Sequence, residues 1–283
     1  MASRRFGDNR PVTTRALRPA GPAARGRYAA SKVPQITALF WLIKILTTAM
    51  GEAAADFLAF RYGPIPTGVI GTVVFAAALA LQFRARRYRA WIYWLAVSMV
   101  AVYGTMLADG LHIVLGVPYL LSSVFFAVAL TVVFVTWYAV EGTLSIHSIT
   151  TPRREVFYWA AVCATFAMGT AVGDLTAVPL GLGFLASGVL FTAAFAVPGL
   201  AYWTLRRGAV LAFWTAYVLT RPLGASYADW LGVAPAQGGL GLGRGTVAVA
   251  LAAVIAVLVG YLAHTRRDVD RGTAAPARAR HRR

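Results

Sequence analysis

The chain has one cysteine, four histidines and only ten acidic residues in 283 positions. One thiol, Cys163, excludes an intrachain disulfide, and in an apolar stretch it reads as a small packing residue. With so few His and Cys there is no cluster of soft ligands, so no thiophilic metal centre is expected. Charged residues make up 13% of the chain, against about 25% in soluble domains. Hydrophobic residues reach 59%. Eight apolar stretches can be drawn, at about 36–58, 66–84, 90–109, 118–140, 156–175, 182–204, 209–230 and 245–264. Each is close to the roughly 20 helical residues that cross a bilayer, and none has the charged face of a soluble core helix. The expected fold class is an all-α, polytopic membrane protein.

The scarce acids are not scattered. Of seven Asp, three (Asp8, Asp268 and Asp270) lie towards the termini, and each of the other four ends one copy of a motif. A Trp is followed ten residues later by Gly and five further on by Asp. The copies are Trp41/Gly51/Asp56, Trp94/Gly104/Asp109, Trp159/Gly169/Asp174 and Trp214/Gly224/Asp229. Each opens a hydrophobic stretch that a second one follows, which predicts four two-helix repeats. The Trp-to-Trp spacings are 53, 65 and 55. The longer middle interval suggests two halves, 34–140 and 156–265, joined by a linker at 141–155 that is hydrogen-bonded or regulatory. Each half would have four spans, so the halves would share one orientation about an axis along the membrane normal, as in parallel-repeat transporters.

The net charge of +17 is placed by topology. Of 27 Lys and Arg, 23 fall before residue 33, in 84–89, at Arg153–Arg154, at Arg206–Arg207, or after residue 265. The opposite loops hold only Arg61 and Arg244. The positive-inside rule then puts both termini in the cytoplasm, with the chain in the plasma (inner) membrane. Basic segments beside anionic lipid account for the charge without nucleic acid. Residues 1–33 lack the apolar core of a signal peptide. They and 266–283 read as disordered basic tails.

On a helix, Trp41, Lys44, Thr48, Glu52 and Asp56 share one stripe, being three, then four, four and four apart. The equivalent stripes carry Thr105 and Thr170 in the second and third copies and Arg221 in the fourth. Lipid cannot solvate such groups, so the odd-numbered helices should turn them inward. Glu52 would lie about 16 Å beyond Trp41, near mid-membrane, and the four Asp about 22 Å along, in the outer third. The motif tryptophans suit the interface, and the motif glycines suit close helix packing. Lys44 and Arg221 could pair with Glu52 and the aspartates, and Pro222 should break the seventh helix beside Arg221.

The four-repeat pattern resembles a bacterial family of multi-pass membrane proteins of unknown function, with two spans and a characteristic tryptophan per repeat. Its signatures are FWLIKILTTAMGEAAADF (40–57), EGTLSIHSI (141–149) and AFWTAYVLTRPLGASYAD (212–229), and the resemblance covers about 33–265. It implies an architecture and no activity. The residues themselves point to a transporter of a small cation or of a proton-coupled solute. Glu52 would be its central site, the four Asp its outer vestibule, and Thr48, Thr105, Thr170 and Thr220 its auxiliary oxygens. Such hard oxygens suit hard cations, although no metal is singled out. The alternative is a structural or accessory membrane protein whose polar stripes only hold helices together. No Ser/His pair, H-E-x-x-H or paired-Asp motif falls in the spans, so no enzyme activity and no cofactor are expected. His112, alone in a loop, reads as solvated.

Overall fold

Thr37 begins the first long element by capping it: its side-chain oxygen accepts from the Phe40 backbone N–H at 3.2 Å, filling one of the unpaired donors at a helix start. The computed structural model describes residues 31–269. Eight long helices follow in order: α1 (Ala38–Tyr62), α2 (Pro64–Arg84), α3 (Ala90–Asp109), α4 (Tyr119–Glu141), α5 (Pro152–Ala177), α6 (Phe184–Leu205), α7 (Ala209–Gly232) and α8 (Arg244–Thr265). Among the described residues there is no strand. Gly63 alone turns the chain between α1 and α2, at φ +87°, where a side chain would be strained. Pro64 then starts α2 at the one place in a helix that does not need an N–H.

Seven of the eight helices are long and apolar enough to cross a membrane. The exception is α7, whose 24 residues include Thr220, Arg221, Pro222 and Ser226. Pro222 does not break it, contrary to the sequence expectation. The helix runs through it, and the proline ring fits against Gly169 and Gly173 of α5, where no side chain stands in its way. The neighbouring Thr220 carbonyl accepts from Thr48 Oγ1 at 3.0 Å.

The odd-numbered helices form the interior. Helix α1 packs on α3, α3 on α5, α5 on α7, and α7 back on α1. The even-numbered helices lie outside, each chiefly on the odd helix that comes next: α2 on α3, α4 on α5, α6 on α7 and α8 on α1. One neighbour relation thus recurs four times around a closed ring. The outer helices leave large apolar side chains uncovered, among them Ile70, Val132, Leu200 and Val257. Apolar surface on this scale belongs against lipid rather than water.

The motif glycines close the ring. A Cβ on Gly51 would meet Ala101, one on Gly104 would meet Phe166, one on Gly169 would meet Arg221, and one on Gly224 would meet Thr48. All four contacted residues stand seven positions after a motif Trp, each in the next repeat. The last contact returns from the fourth repeat to the first. Small residues here let neighbouring helix backbones approach.

The basic tails expected at 1–33 and 266–283 lie mostly outside the described residues. The parts described are held in place: Gln35 N–H donates to the Asp268 carbonyl at 2.9 Å, and Lys32 N–H to the Ile149 carbonyl at 3.3 Å. The linker expected at 141–155 is shorter, because Pro152 already begins α5 behind a Thr151 cap. It is a hydrogen-bonded connection: Glu141 pairs with Arg153 and Arg154, and the Leu144 carbonyl accepts from Trp214 Nε1 at 2.9 Å.

Candidate functional site

Five layers of side chains line the inner ring, and their register follows from the helical repeat of each stripe. The first holds Phe40, Tyr93, Tyr158 and Phe213, one before each motif Trp, and all four are buried. The motif tryptophans pack beside them. Trp94, Trp159 and Trp214 are buried, and only Trp41 is partly exposed. Those three are core residues of the bundle. Edge-to-face and tilted contacts connect the cluster, with ring centroids 5.2–6.2 Å apart for the pairs made by Phe40, Tyr93 and Trp214 with Trp94, Tyr158 and Phe213. Tyr93 and Tyr158 share a buried hydrogen bond of 2.6 Å. The aromatic position before each Trp was a legible signal for this layer.

Lys44, Val97, Val162 and Tyr217 make the second layer, with no exposed surface. The Lys44 ammonium has no hydrogen-bond partner among the described residues. It lies 3.8 Å from the Phe166 ring centroid and 4.2 Å from that of Tyr217. The expected pairing of Lys44 with carboxylates does not occur. Glu52 is eight residues on, about 12 Å along the helix, and Arg221 stands between. Two ring contacts return up to about 2 kcal/mol each, whereas stripping an ammonium of water costs several. Lys44→Met should therefore raise the melting temperature of the detergent-purified protein. An unchanged or lower value would mean that the charge is compensated where it lies.

The third and fourth layers carry the main polar network. Arg221, fully buried, stands in the third with Thr48, Ala101 and Phe166. The fourth holds Glu52, Thr105, Thr170 and, on the arginine's own helix, Ala225. That alanine leaves room for the guanidinium to extend towards the other three. Arg221 Nη2 donates to Thr170 Oγ1 at 2.6 Å and lies in hydrogen-bonding contact with Thr105 Oγ1 and Glu52 Oε2. Its Nη1 donates to the Thr48 carbonyl at 3.0 Å. Thr105 Oγ1 in turn donates to Glu52 Oε2 at 3.2 Å. One side chain of α7 thus binds all three other inner helices, and the pair expected from the sequence, Arg221 with Glu52, is present.

Burial ends at the fifth layer. Asp229 is buried, while Asp56, Asp109 and Asp174 are partly exposed. One carboxylate oxygen each from Glu52, Asp56 and Asp229 lies within 4.8 Å of the other two. Asp109 and Asp174 stand at the same register on α3 and α5, so each repeat contributes one acid to this layer. Arg244, at the start of α8, pairs with Asp56 at 2.8 Å. Sequence reasoning assigned Arg244 only to an outer loop. Its signal was its isolation, one of two basic residues in loops otherwise free of charge. His112 is not a free loop residue. Its Nδ1 contacts the Val117 carbonyl at 3.0 Å, its Nε2 contacts Ser122 Oγ at 3.3 Å, and its ring stacks on Tyr119 at 4.0 Å.

A family model described as a repeat of unknown function (DUF347) matches four times, at residues 39–88, 92–143, 157–208 and 212–268. Each match begins two residues before a motif tryptophan and spans one odd-numbered and one even-numbered helix. The chain belongs to this repeat family. No curated protein and no solved structure matches it. Within the DUF347 repeats of this chain, the Trp, Gly and Asp recur in all four copies, whereas Lys44, Glu52 and Arg221 each occur once. The recurrent residues build the ring and its acidic end. The singular ones charge its interior.

Proposed function

We propose that the inner ring carries a small cation, or a solute coupled to protons, across the inner membrane, with both termini and the arginine-rich connections in the cytoplasm. The observation that supports this reading is the approach of three carboxylates within 4.8 Å. In a low-dielectric interior, like charges this close disfavour one another, and two nearby cations, Arg221 and Arg244, must serve all five acids. Glu52 and Asp56 are paired, but among the described residues Asp109, Asp174 and Asp229 form no ion pair, and an arrangement selected only to hold helices together would pair these too. The partly exposed Asp layer is an entrance, and the buried Glu52 is the site behind it. An incoming cation would compete with the guanidinium for Glu52, and exchange of partners at a buried pair is the switch such pairs serve best. No step requires a catalytic residue or a cofactor.

The second reading, a structural or accessory membrane protein, is favoured by the Arg221 network, which ties four helices together through three side chains and a carbonyl. Proteoliposome flux decides between them. With a panel of monovalent and divalent cations and a proton gradient, the wild type should move at least one ion faster than empty vesicles. Asp229→Asn should lower that flux at least tenfold while the protein still folds. No ion moving faster than in empty vesicles would leave only the structural reading.

A further inference from the structure

A second polar site lies at the tryptophan end of the molecule, away from the acidic layers. The connection between α2 and α3 and the chain just after α8, about 180 residues apart in sequence, meet around a cavity of about 340 Å³. Arg87, Tyr88, Arg89 and Trp91 line it from one side, and Arg266 and Asp268 from the other. Three arginines from two elements therefore line one cavity, and among the described residues none of the three takes part in an ion pair or a side-chain hydrogen bond. The single acid among the described lining residues is engaged: Asp268 accepts a hydrogen bond from the Tyr88 hydroxyl. Burial raises the pKa of this carboxyl above its ordinary value.

The rest of the lining favours the same kind of ligand. Helix α3 begins at this cavity, and its cap residue, Arg89, makes no side-chain capping bond. The first N–H groups of the helix therefore remain available to an acceptor. Trp91, 49% exposed, stands where the apolar surface of α3 meets this polar end. That is the position an aromatic ring takes beside lipid headgroups.

We infer that this cavity binds a phosphate group, presented by an anionic phospholipid headgroup at the membrane surface or by free phosphate. Arginine matches phosphate with paired, planar N–H donors, and three arginines line this one cavity. Basic pockets between helices on the cytoplasmic side are suited to this role. The inference does not depend on transport.

The test uses the full chain in nanodiscs of phosphatidylcholine alone or with phosphatidylglycerol. Phosphatidylglycerol should raise the melting temperature of the wild type. The triple variant Arg87→Gln/Arg89→Gln/Arg266→Gln should lose more than half of that rise. Arg206→Gln/Arg207→Gln, which removes charge at the same end but outside this cavity, should keep it. Equal loss in both variants would reduce the effect to general surface charge and overturn the site. The same stabilisation by inorganic phosphate in phosphatidylcholine discs, again lost in the triple variant, would assign the site to free phosphate. If the triple variant does not fold, native mass spectrometry of the wild type decides. A phosphatidylglycerol adduct retained in preference to phosphatidylcholine supports the site, and retention without preference overturns it.

Discussion

Glu52→Gln should abolish flux and also lower the stability of the folded protein by about 3–5 kcal/mol, the usual cost of removing one partner from a buried ion pair. The guanidinium of Arg221 would keep Thr105, Thr170 and the Thr48 carbonyl, but these dipoles replace hydration without neutralising a charge. The decisive companion is the double variant Glu52→Gln/Arg221→Met. Methionine retains the Cβ and Cγ that pack against Gly169, and removing both charges removes the desolvation penalty that the single variant exposes. The double variant should recover most of the lost stability in thermal unfolding while flux remains absent. That separation of fold from function is what the transport reading requires. If Glu52→Gln unfolds at the wild-type temperature, the pair is not shielded from water and the central site is lost from the argument. If the double variant moves ions as the wild type does, the pair only holds helices together.

Much of this architecture was legible because the repeat wrote it four times. Identical Trp–Gly–Asp spacing predicted the helix pairs, and the polar stripe predicted which helices face inward. Neither told which helix follows which around the ring. That depends on long-range packing, visible only once Gly51, Gly104, Gly169 and Gly224 are seen against the next repeat. The stripe also misled at Lys44. Residues on one face share a direction but not a depth, and Arg221 of another helix lies nearer Glu52 than Lys44 does. A proline reads as a break because a missing N–H matters in isolation, whereas here the α5 glycines make room for the ring and the helix continues. The linkage of Lys32 to Glu155 at 2.6 Å, with Gln82 on the other carboxylate oxygen at 3.0 Å, joins segments more than 70 residues apart. No local pattern announces such a contact. Five of the ten acids are gathered at the inner ring, and their convergence was predictable only as a consequence of helix orientation.

Gly224→Ala should be strongly damaging. Its Cβ would stand 2.0 Å from Thr48 Oγ1 and 2.8 Å from the Ala49 backbone nitrogen. A flexible side chain can turn aside, but the Ala49 backbone belongs to a buried helix and cannot. Helices α7 and α1 would have to separate at the point where the fourth repeat meets the first. Overpacking of a dense core costs about 1–3 kcal/mol where neighbours can shift, and here Arg221, one turn away, would also lose its bond to the Thr48 carbonyl. The expected result is a protein that fails to survive purification as a monodisperse species, or that melts far below the wild type. Thr48→Ala in the same chain should not rescue it, because the backbone clash remains. Gly71→Ala is the matched control. The added methyl meets Met106 Sδ at 2.6 Å, a long thioether on an outer contact that can move, so its melting temperature should stay close to wild type. If Gly224→Ala behaves like Gly71→Ala, the first and fourth repeats are not in contact as described, the ring is open, and a shared acidic interior has no walls.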